Sequence, residues 1–399
     1  MNSNYFKESP LSLFLIFLKL GCTSFGGPVA HLGYFRNEFV ARRKWLDEQS
    51  YADLIAFCQF LPGPASSQVG LSIGLYRAGI WGAFMAWIGF CLPSVIALIL
   101  FAKGVASLDH ASTVKLIHGL KVVAVAVVAK AVWSMATKLC FEKIRLTLMS
   151  LACIATLLFP HFVTQVFVML ISAMFGLLFL KIDNKAEVAR KSIVIHSRKL
   201  GILSIAAFFV ILTSLFWIDS FTDSIELTIS STFFKTGAMV FGGGHVVLPL
   251  LSSELVPRGW ISQDLFMAGY GATQAVPGPL FTFSTYLGAS ILELNNAWFA
   301  GFMCLTAIYL PSFLLIYGGL PFWENIRSHA KIQSSLSGLN AAVVGLLLAA
   351  LYDPVWTGAI HSAQDFSLAL ASFILLMYWK SPTWLIVLLC SLYGWIGAN

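Results

Sequence analysis

Thirteen apolar runs of spanning or near-spanning length dominate the chain. They lie at about residues 11–33, 51–75, 79–102, 116–137, 146–159, 162–180, 200–218, 229–251, 265–292, 297–320, 336–352, 366–379 and 383–397. In hydrocarbon every backbone N–H and C=O must be satisfied inside the protein, which restricts runs like these to helices packed in a bundle. Crossing takes about 20 residues, and several runs are shorter, so they count segments and not crossings. With 11% charged residues and 58% hydrophobic ones, the chain lacks the charge, about 25% in soluble domains, to cover a water-facing surface. The net charge of +7 is read as a record of membrane orientation and not as a nucleic-acid footprint. The seven cysteines never form CxxC; they read as small core hydrophobes, with no disulfide framework or zinc site. The opening MNSNYFKESP lacks a charged n-region and a cleavage site, so Leu11 onward is expected to be retained as a membrane segment.

The chain repeats itself. FLKLGCTSFGG at 17–27 matches FFKTGAMVFGG at 233–243, which pairs Lys19 with Lys235, Gly21 with Gly237 and Phe25 with Phe241, and Glu38 falls on Glu254 at the same shift. One deletion later, Trp45 meets Trp260 and QFLPGP (59–64) meets QAVPGP (274–279). LPS at 92–94 then meets LPS at 310–312, and Gly119-Leu120 meets Gly338-Leu339. The expected organisation is a first repeat over 1–180, a basic loop plus linker helix over 181–218, and a second repeat over 219–399.

Charge orients the halves. Residues 1–199 hold 20 Lys+Arg and 9 Asp+Glu (+11), whereas residues 200–399 hold 5 and 9 (−4). Basic loops of the first repeat (Arg36 to Lys44, Lys138 to Arg145, Lys181 to Lys199) correspond to acidic ones of the second (Glu254 to Asp264, Asp353 to Asp365). The loop with Arg327 and Lys331 and the turn at Lys380 reverse the bias. Lys and Arg collect in cytoplasmic loops, so the repeats are expected in opposite orientations, with the helix at 200–218 flipping the second. If 11–33 and 51–75 both crossed fully, the Arg36, Arg42, Arg43, Lys44 cluster would lie outside, against the rule. Broken or re-entrant hairpins with FGG and PGP at their tips are therefore expected. Such backbone is tolerated only where protein or a water-filled cavity satisfies it. The fold class is thus an all-α polytopic membrane protein of two inverted repeats, about six segments each, with the first two segments of each repeat broken.

These breaks carry the candidate chemistry. Pro62-Gly63-Pro64 and Pro277-Gly278-Pro279 stop any helix, because each proline removes a donor and clashes with the preceding turn. The helices that resume would present free N–H groups, with Ser66 and Ser67 in one first turn and Thr282 and Ser284 in the other, an arrangement suited to an anion. Gly26-Gly27 and Gly242-Gly243-Gly244 offer a second backbone-lined surface. Lys19 and Lys235 are intramembrane cations that either neutralise a divalent anion, pair with Glu38 and Glu254, or snorkel to the interface. Lys121, which aligns with Asn340, and Lys130, which has no basic counterpart, are read as snorkelling or helix-end residues. Gln59 and Gln274 offer either oxyanion recognition or interhelical hydrogen bonds. His245, like His31 in the first half, is either a proton carrier or a structural histidine. With Glu38 and Glu254 it completes the candidate coupling set. GxxxxGK[ST], HExxH and GxSxG are absent, so neither ATP-driven work nor hydrolysis is indicated. An intramembrane enzyme acting on lipid-linked phosphate would need clustered acidic residues, and here they are scattered.

At FGG, LPGP, FGGGH, VPGP and the GLNAAVVGLLLAAL run of 338–351, the chain resembles the chromate ion transporter family, long two-domain type, over almost its full length. That resemblance implies a multi-pass protein of the prokaryotic inner membrane that exports chromate and confers chromate resistance. It also implies halves of opposite topology; no cofactor or metal is expected. It carries over to Gly26, Gly27, Pro62, Gly63 and Pro64, and to Gly242, Gly243, Pro277, Gly278 and Pro279. Expected partners are an oxyanion (chromate, with sulfate open) and the lipid bilayer, with no nucleic acid; a homodimer is left open. Uptake of sulfate or another anion, or a channel, is the alternative function.

Overall fold

The computed structural model describes residues 8–180, 198–217, 223–327 and 329–397. The basic stretch expected at 181–197, together with 218–222, lies outside the described residues. All regular structure among the described residues is helical.

The chain opens with a broken helical hairpin. Ser9 caps α1 (Pro10–Thr23) by accepting a hydrogen bond from Ser12 N–H. The helix has 14 residues, about 21 Å at 1.5 Å per residue, short of a hydrocarbon core of about 30 Å. Gly26 and Gly27 then take φ of 101° and 77°, a left-handed geometry open to glycine, and α2 (Gly27–Phe35) begins. A π-helical turn at Arg36–Arg42 follows. Phe35 and Phe39 return against Phe17, with ring centroids 5.7 and 5.2 Å away, so the segment folds back on itself.

The second hairpin is α3 (Glu48–Phe60), capped by Asp47, the LPGP break, and the start of α4 (Ala65–Ser107). Arg77 ties the entrances together. Its guanidinium stands 4.6 Å over the Trp45 ring and 4.0 Å from Glu8. Glu8 opens the first hairpin, Trp45 joins the two, and Arg77 closes the second, so the ends of both hairpins lie together. The chain is broken at FGG and PGP as expected. At Ala78 and Gly79 the backbone leaves helical geometry, and α4 continues as a spanning helix.

The second half repeats the plan. α9 (Ile225–Met239) meets the FGGG break, and a 3-10 turn at Gly244–Val246 leads into α10 (Val247–Leu255). α11 (Gln263–Thr273) meets the second PGP, and a 3-10 turn at Leu280–Thr282 leads into α12 (Phe283–Ser290). α13 (Ala297–Gly319) is the counterpart of the later part of α4. The remaining helices are α5 (His110–Leu139), α6 (Lys143–Leu158), α7 (Phe162–Phe179), the linker α8 (Arg198–Leu215), α14 (Trp323–Arg327), α15 (Ala330–Ala350), α16 (Ala363–Met377) and α17 (Thr383–Gly397). Six helical stretches among the described residues are long and apolar enough to cross a membrane.

Packing is exchanged between halves. α15 lies against α6 and α7, while α5 lies against α16 and α17. Glycines set the distance: Gly119 abuts the Cys390 carbonyl and Gly338 the Ser172 carbonyl, where any side chain would overlap backbone. Corresponding glycines thus make corresponding contacts, each with the other half. Close backbone approach through small residues is how helices associate where lipid removes the hydrophobic drive.

Candidate functional site

The four breaks meet. Gly63 N–H donates to Val240 O at 2.6 Å, and Gly278 N–H donates to Ser24 O at 2.9 Å. Val240 precedes the second glycine cluster as Ser24 precedes the first, so each PGP loop bonds to the other half's glycine-cluster break. Gly63 and Gly278 hold φ of 124° and 98°. A Cβ on Gly63 would overlap Ser312 Oγ and one on Gly278 would crowd Ser94 Oγ. These serines are the last residues of the two LPS motifs, and each comes from the opposite half. Ser94 donates to Pro277 O, and Gln68 Nε2 donates to Pro62 O at 2.6 Å and to Ser312 Oγ at 3.2 Å.

Around this crossing, Ser66 Oγ lies 3.4 Å from His31 Nδ1, whose other ring nitrogen is 3.1 Å from Ser24 O. Ser67 Oγ pairs with Tyr309 OH at 3.1 Å, and Thr282 Oγ1 donates to Pro279 O at 2.7 Å. Buried Ser24 Oγ, Gln68 Oε1 and Gln274 Nε2 have no hydrogen-bond partner among the described residues. Gln59, the sequence counterpart of Gln274, is exposed.

Capping separates two classes of helix. The four that lead into the breaks each start with a side-chain cap: Ser9, Asp47, Ser224 and Ser262. The four that resume after them start at Gly26, Pro64, Gly243 and Pro279 with none. The first N–H groups of a helix have no intrahelical partner. Caps satisfy them at the outer ends, and at the breaks they are left available to an acceptor.

The glycine clusters lie beside the crossing. Gly26 and Gly242 are exposed, and Gly244 approaches Pro28 of the first half. His245 Nδ1 is 2.6 Å from Tyr270 OH.

The lysines lie elsewhere. Lys19 is exposed on the outward stripe of α1 with Leu11, Leu15 and Cys22. Lys235 occupies the equivalent face of α9, but the linker covers it; it is 7% exposed with Nζ 5.8 Å from the Phe216 ring centre. Neither takes the expected carboxylate: Glu38 is held by Arg42 and Arg43 at 2.9 and 2.6 Å, and Glu254 by Arg258 at 3.1 Å. Burial works to raise the Glu38 pKa, yet the two arginines outweigh it and hold it below the ordinary carboxylate value. Lys121, read from sequence as snorkelling, instead makes a 2.6 Å ion pair with Asp264. Sequence reasoning passed over Ser24, Gln68, Ser94, Tyr309 and Ser312; the LPS repeat was the one available signal for two of them.

Among the described residues, two ion pairs and one histidine–carboxylate contact bridge the halves. Arg327 meets Asp53 at 2.6 Å, with Trp323 Nε1 on the same oxygen at 3.2 Å. Lys121 meets Asp264, and His118 meets Asp365 at 2.7 Å.

Comparison with known proteins gives this doubled architecture a family. An uncharacterized transporter of Methanocaldococcus jannaschii is 28% identical over 97% of this chain and 94% of its own. A chromate transport protein of Pseudomonas aeruginosa is 23% identical over 96% of this chain and 91% of its own, and a probable one of Synechococcus elongatus 23% over 95% and 93%. No solved structure is a significant match. The chromate transporter family model matches twice, at residues 11–177 and 227–395, and each match holds one glycine-cluster break and one PGP break. By that double match over most of its length, the chain belongs to the chromate transporter family.

Proposed function

We propose that the protein is a secondary active transporter that exports chromate, or a related tetrahedral oxyanion, across the prokaryotic inner membrane and thereby confers chromate resistance. The observation that carries this reading is the interlock of four uncapped breaks through Gly63–Val240 and Gly278–Ser24. Free N–H groups at helix starts, with their partial positive charge, suit an anion held by backbone. Ser24 Oγ and Gln274 Nε2 add donors without adding charge. The substrate binds between the halves, near Gly26, Gly63, Gly242 and Gly278, and Thr282, Ser66 and Ser67 line the resuming helices.

Opposite orientation of the repeats is supported by where the ion pairs fall. Asp53–Arg327 joins two regions whose charge assigns them to the cytoplasm, and Asp264 and Asp365 come from the acidic loops assigned outside. Alternating access then consists of one repeat rocking against the other, with these pairs as the contacts that open in turn. In a cell negative inside, the potential favours expelling a dianion by about 2.3 kcal/mol per charge per 100 mV, so a coupling proton is not required.

Purified protein in liposomes, loaded with chromate or sulfate and held with or without a proton gradient, tests the reading. Chromate efflux driven by potential is the expected result. Sulfate uptake with no chromate flux would replace export of chromate with the alternative, and no flux of either anion would refute transport.

A further inference from the structure

We infer that His118 and Asp365 form a proton-binding latch at the outer end of the repeat interface, through which acid outside the cell holds the halves together and slows transport. The inference rests on the transport reading and goes beyond it by giving one of the opening contacts a chemical control.

The pair is built across the interface. His118 lies on α5 of the first half, and its Nε2 is 2.7 Å from Oδ1 of Asp365 in the first turn of α16. The other carboxylate oxygen stays with its own half: Oδ2 accepts the N–H groups of His361 and Ser362, which fixes the start of α16 and the carboxylate with it. The Asp365 side chain is 6% exposed and that of His118 26%. Water therefore reaches the imidazole, while the carboxylate depends on protein donors.

A neutral imidazole meets this carboxylate as an ordinary donor, and protonation makes the bond charge-assisted and roughly twice as strong. A proton thus binds more tightly when the halves are together than when they are apart. By linkage, each difference of about one pKa unit between the two forms biases the interface about tenfold toward the closed one. Histidine changes charge between about pH 5 and 8, so acid strengthens this contact and alkali weakens it.

The surrounding charges leave the role to His118. One turn along α5, Lys121 is taken by Asp264 of α11 at 2.6 Å, and Tyr270 of that helix bonds to His245. One turn back, the Lys115 carbonyl abuts Gly394 of α17. α17 also brings Cys390, 3.3 Å from Ser372 Oγ, and Tyr393, which donates to Gln364 at 3.2 Å. In the turn at Leu351–Trp356, Asp353 accepts from Thr357 Oγ1 at 2.9 Å beside exposed Tyr352. α15 carries one charged residue, Lys331, in its first turn. Among the described residues, His118 is the histidine whose ring meets a carboxylate. The contact at the opposite end, Asp53–Arg327, uses an arginine, which stays charged at every physiological pH; nearby His329 bonds to the Asn325 carbonyl instead. One end of the interface is therefore pH-sensitive and the other is not.

The test follows chromate efflux from right-side-out membrane vesicles at fixed internal pH, with the outer pH taken from about 8 to about 5.5. It compares wild type, His118→Gln, His118→Arg, Asp365→Asn and Lys121→Gln. Wild type should slow by about threefold or more on acidification. His118→Gln and Asp365→Asn should be flat across the range, and His118→Arg, charged throughout, should stay near the slow acid rate. Lys121→Gln removes a neighbouring pair without a histidine and should keep the acid slowing. If the glutamine variant folds poorly, arginine still gives the buried carboxylate a partner and Asp365→Asn still leaves a side-chain oxygen to cap α16. Wild type that ignores outer pH, or slowing that persists unchanged in His118→Gln and Asp365→Asn, overturns the latch. Wild type that moves no anion overturns the transport reading instead, so the two failures are distinguishable.

Discussion

The backbone amide of Gly63 donates to the carbonyl of Val240 at 2.6 Å, and 215 residues later Gly278 repeats the bond to Ser24 at 2.9 Å. Residues of different repeats hold each other's broken backbone, so neither repeat completes its own break. A lost contact on one side should therefore be felt on the other.

Gly63→Ala and Gly278→Ala test that interlock. Each places a Cβ on a residue with positive φ and pushes it into Ser312 or Ser94. The left-handed geometry alone costs roughly 1–2 kcal/mol, and the overlap adds more. Both variants should lose transport and melt at lower temperature in detergent. Gly259→Ala, with φ of 75° but nothing within 4 Å, should show the backbone cost only. Equal destabilisation in all three would mean that the overlap is unimportant.

Ser94→Ala and Ser312→Ala remove one hydroxyl each from the crossing. Each should cost about 1 kcal/mol. Because the two PGP loops are tied to each other's repeats, the double variant should deviate from the sum of the singles. Strict additivity in a double-mutant cycle would show that the two crossings are independent.

The Asp53–Arg327 pair offers a cycle at one end of the repeat interface. Asp53→Asn and Arg327→Gln should each lower stability, and the pair should show a coupling of about 1 kcal/mol, reduced in high salt. Trp323, which shares the Asp53 oxygen, should show its fluorescence shift in Asp53→Asn. An unchanged emission spectrum would argue that the aspartate does not position that ring.

The paired carboxyl of Glu38 sets a pH dependence. Its native pKa lies below its ordinary value of 4.5, so its contribution is present above that value and is lost as pH falls through the native pKa. Wild type should lose stability progressively below about pH 4.5. Glu38→Gln should be less stable at neutral pH and show a flatter acid limb, and parallel curves would rule out this source.

Hairpin topology is open to labelling. Arg42 is exposed, so Arg42→Cys in a background with exposed Cys22 replaced by serine should react with an impermeant reagent only from the cytoplasmic side. Reaction only from outside would require full crossings.

Legibility followed the range of the forces involved. Proline and glycine act on their own backbone, so the breaks at Pro62, Gly63, Pro277 and Gly278 could be read directly, and the excess of arginine at 36–43 was enough to argue for hairpins. The repeat was visible because both halves need the same breaks at the same spacing. The fate of matched residues was not visible. Lys19 and Lys235 align, yet α8 covers one and leaves the other exposed, because a single linker can pack on only one side of a doubled structure. Lys121 and Lys130 looked alike as cations in an apolar run, and only packing gave Asp264 to the first.

By itself the sequence determined an all-helical membrane bundle of two broken repeats, because backbone satisfaction in lipid and the conformational limits of proline and glycine are local requirements. Tertiary structure decided which groups meet: Gly63 with Val240, Ser94 with Pro277, Lys121 with Asp264. Those contacts join residues more than 140 positions apart, and their energies depend on interhelical distances that no local pattern encodes.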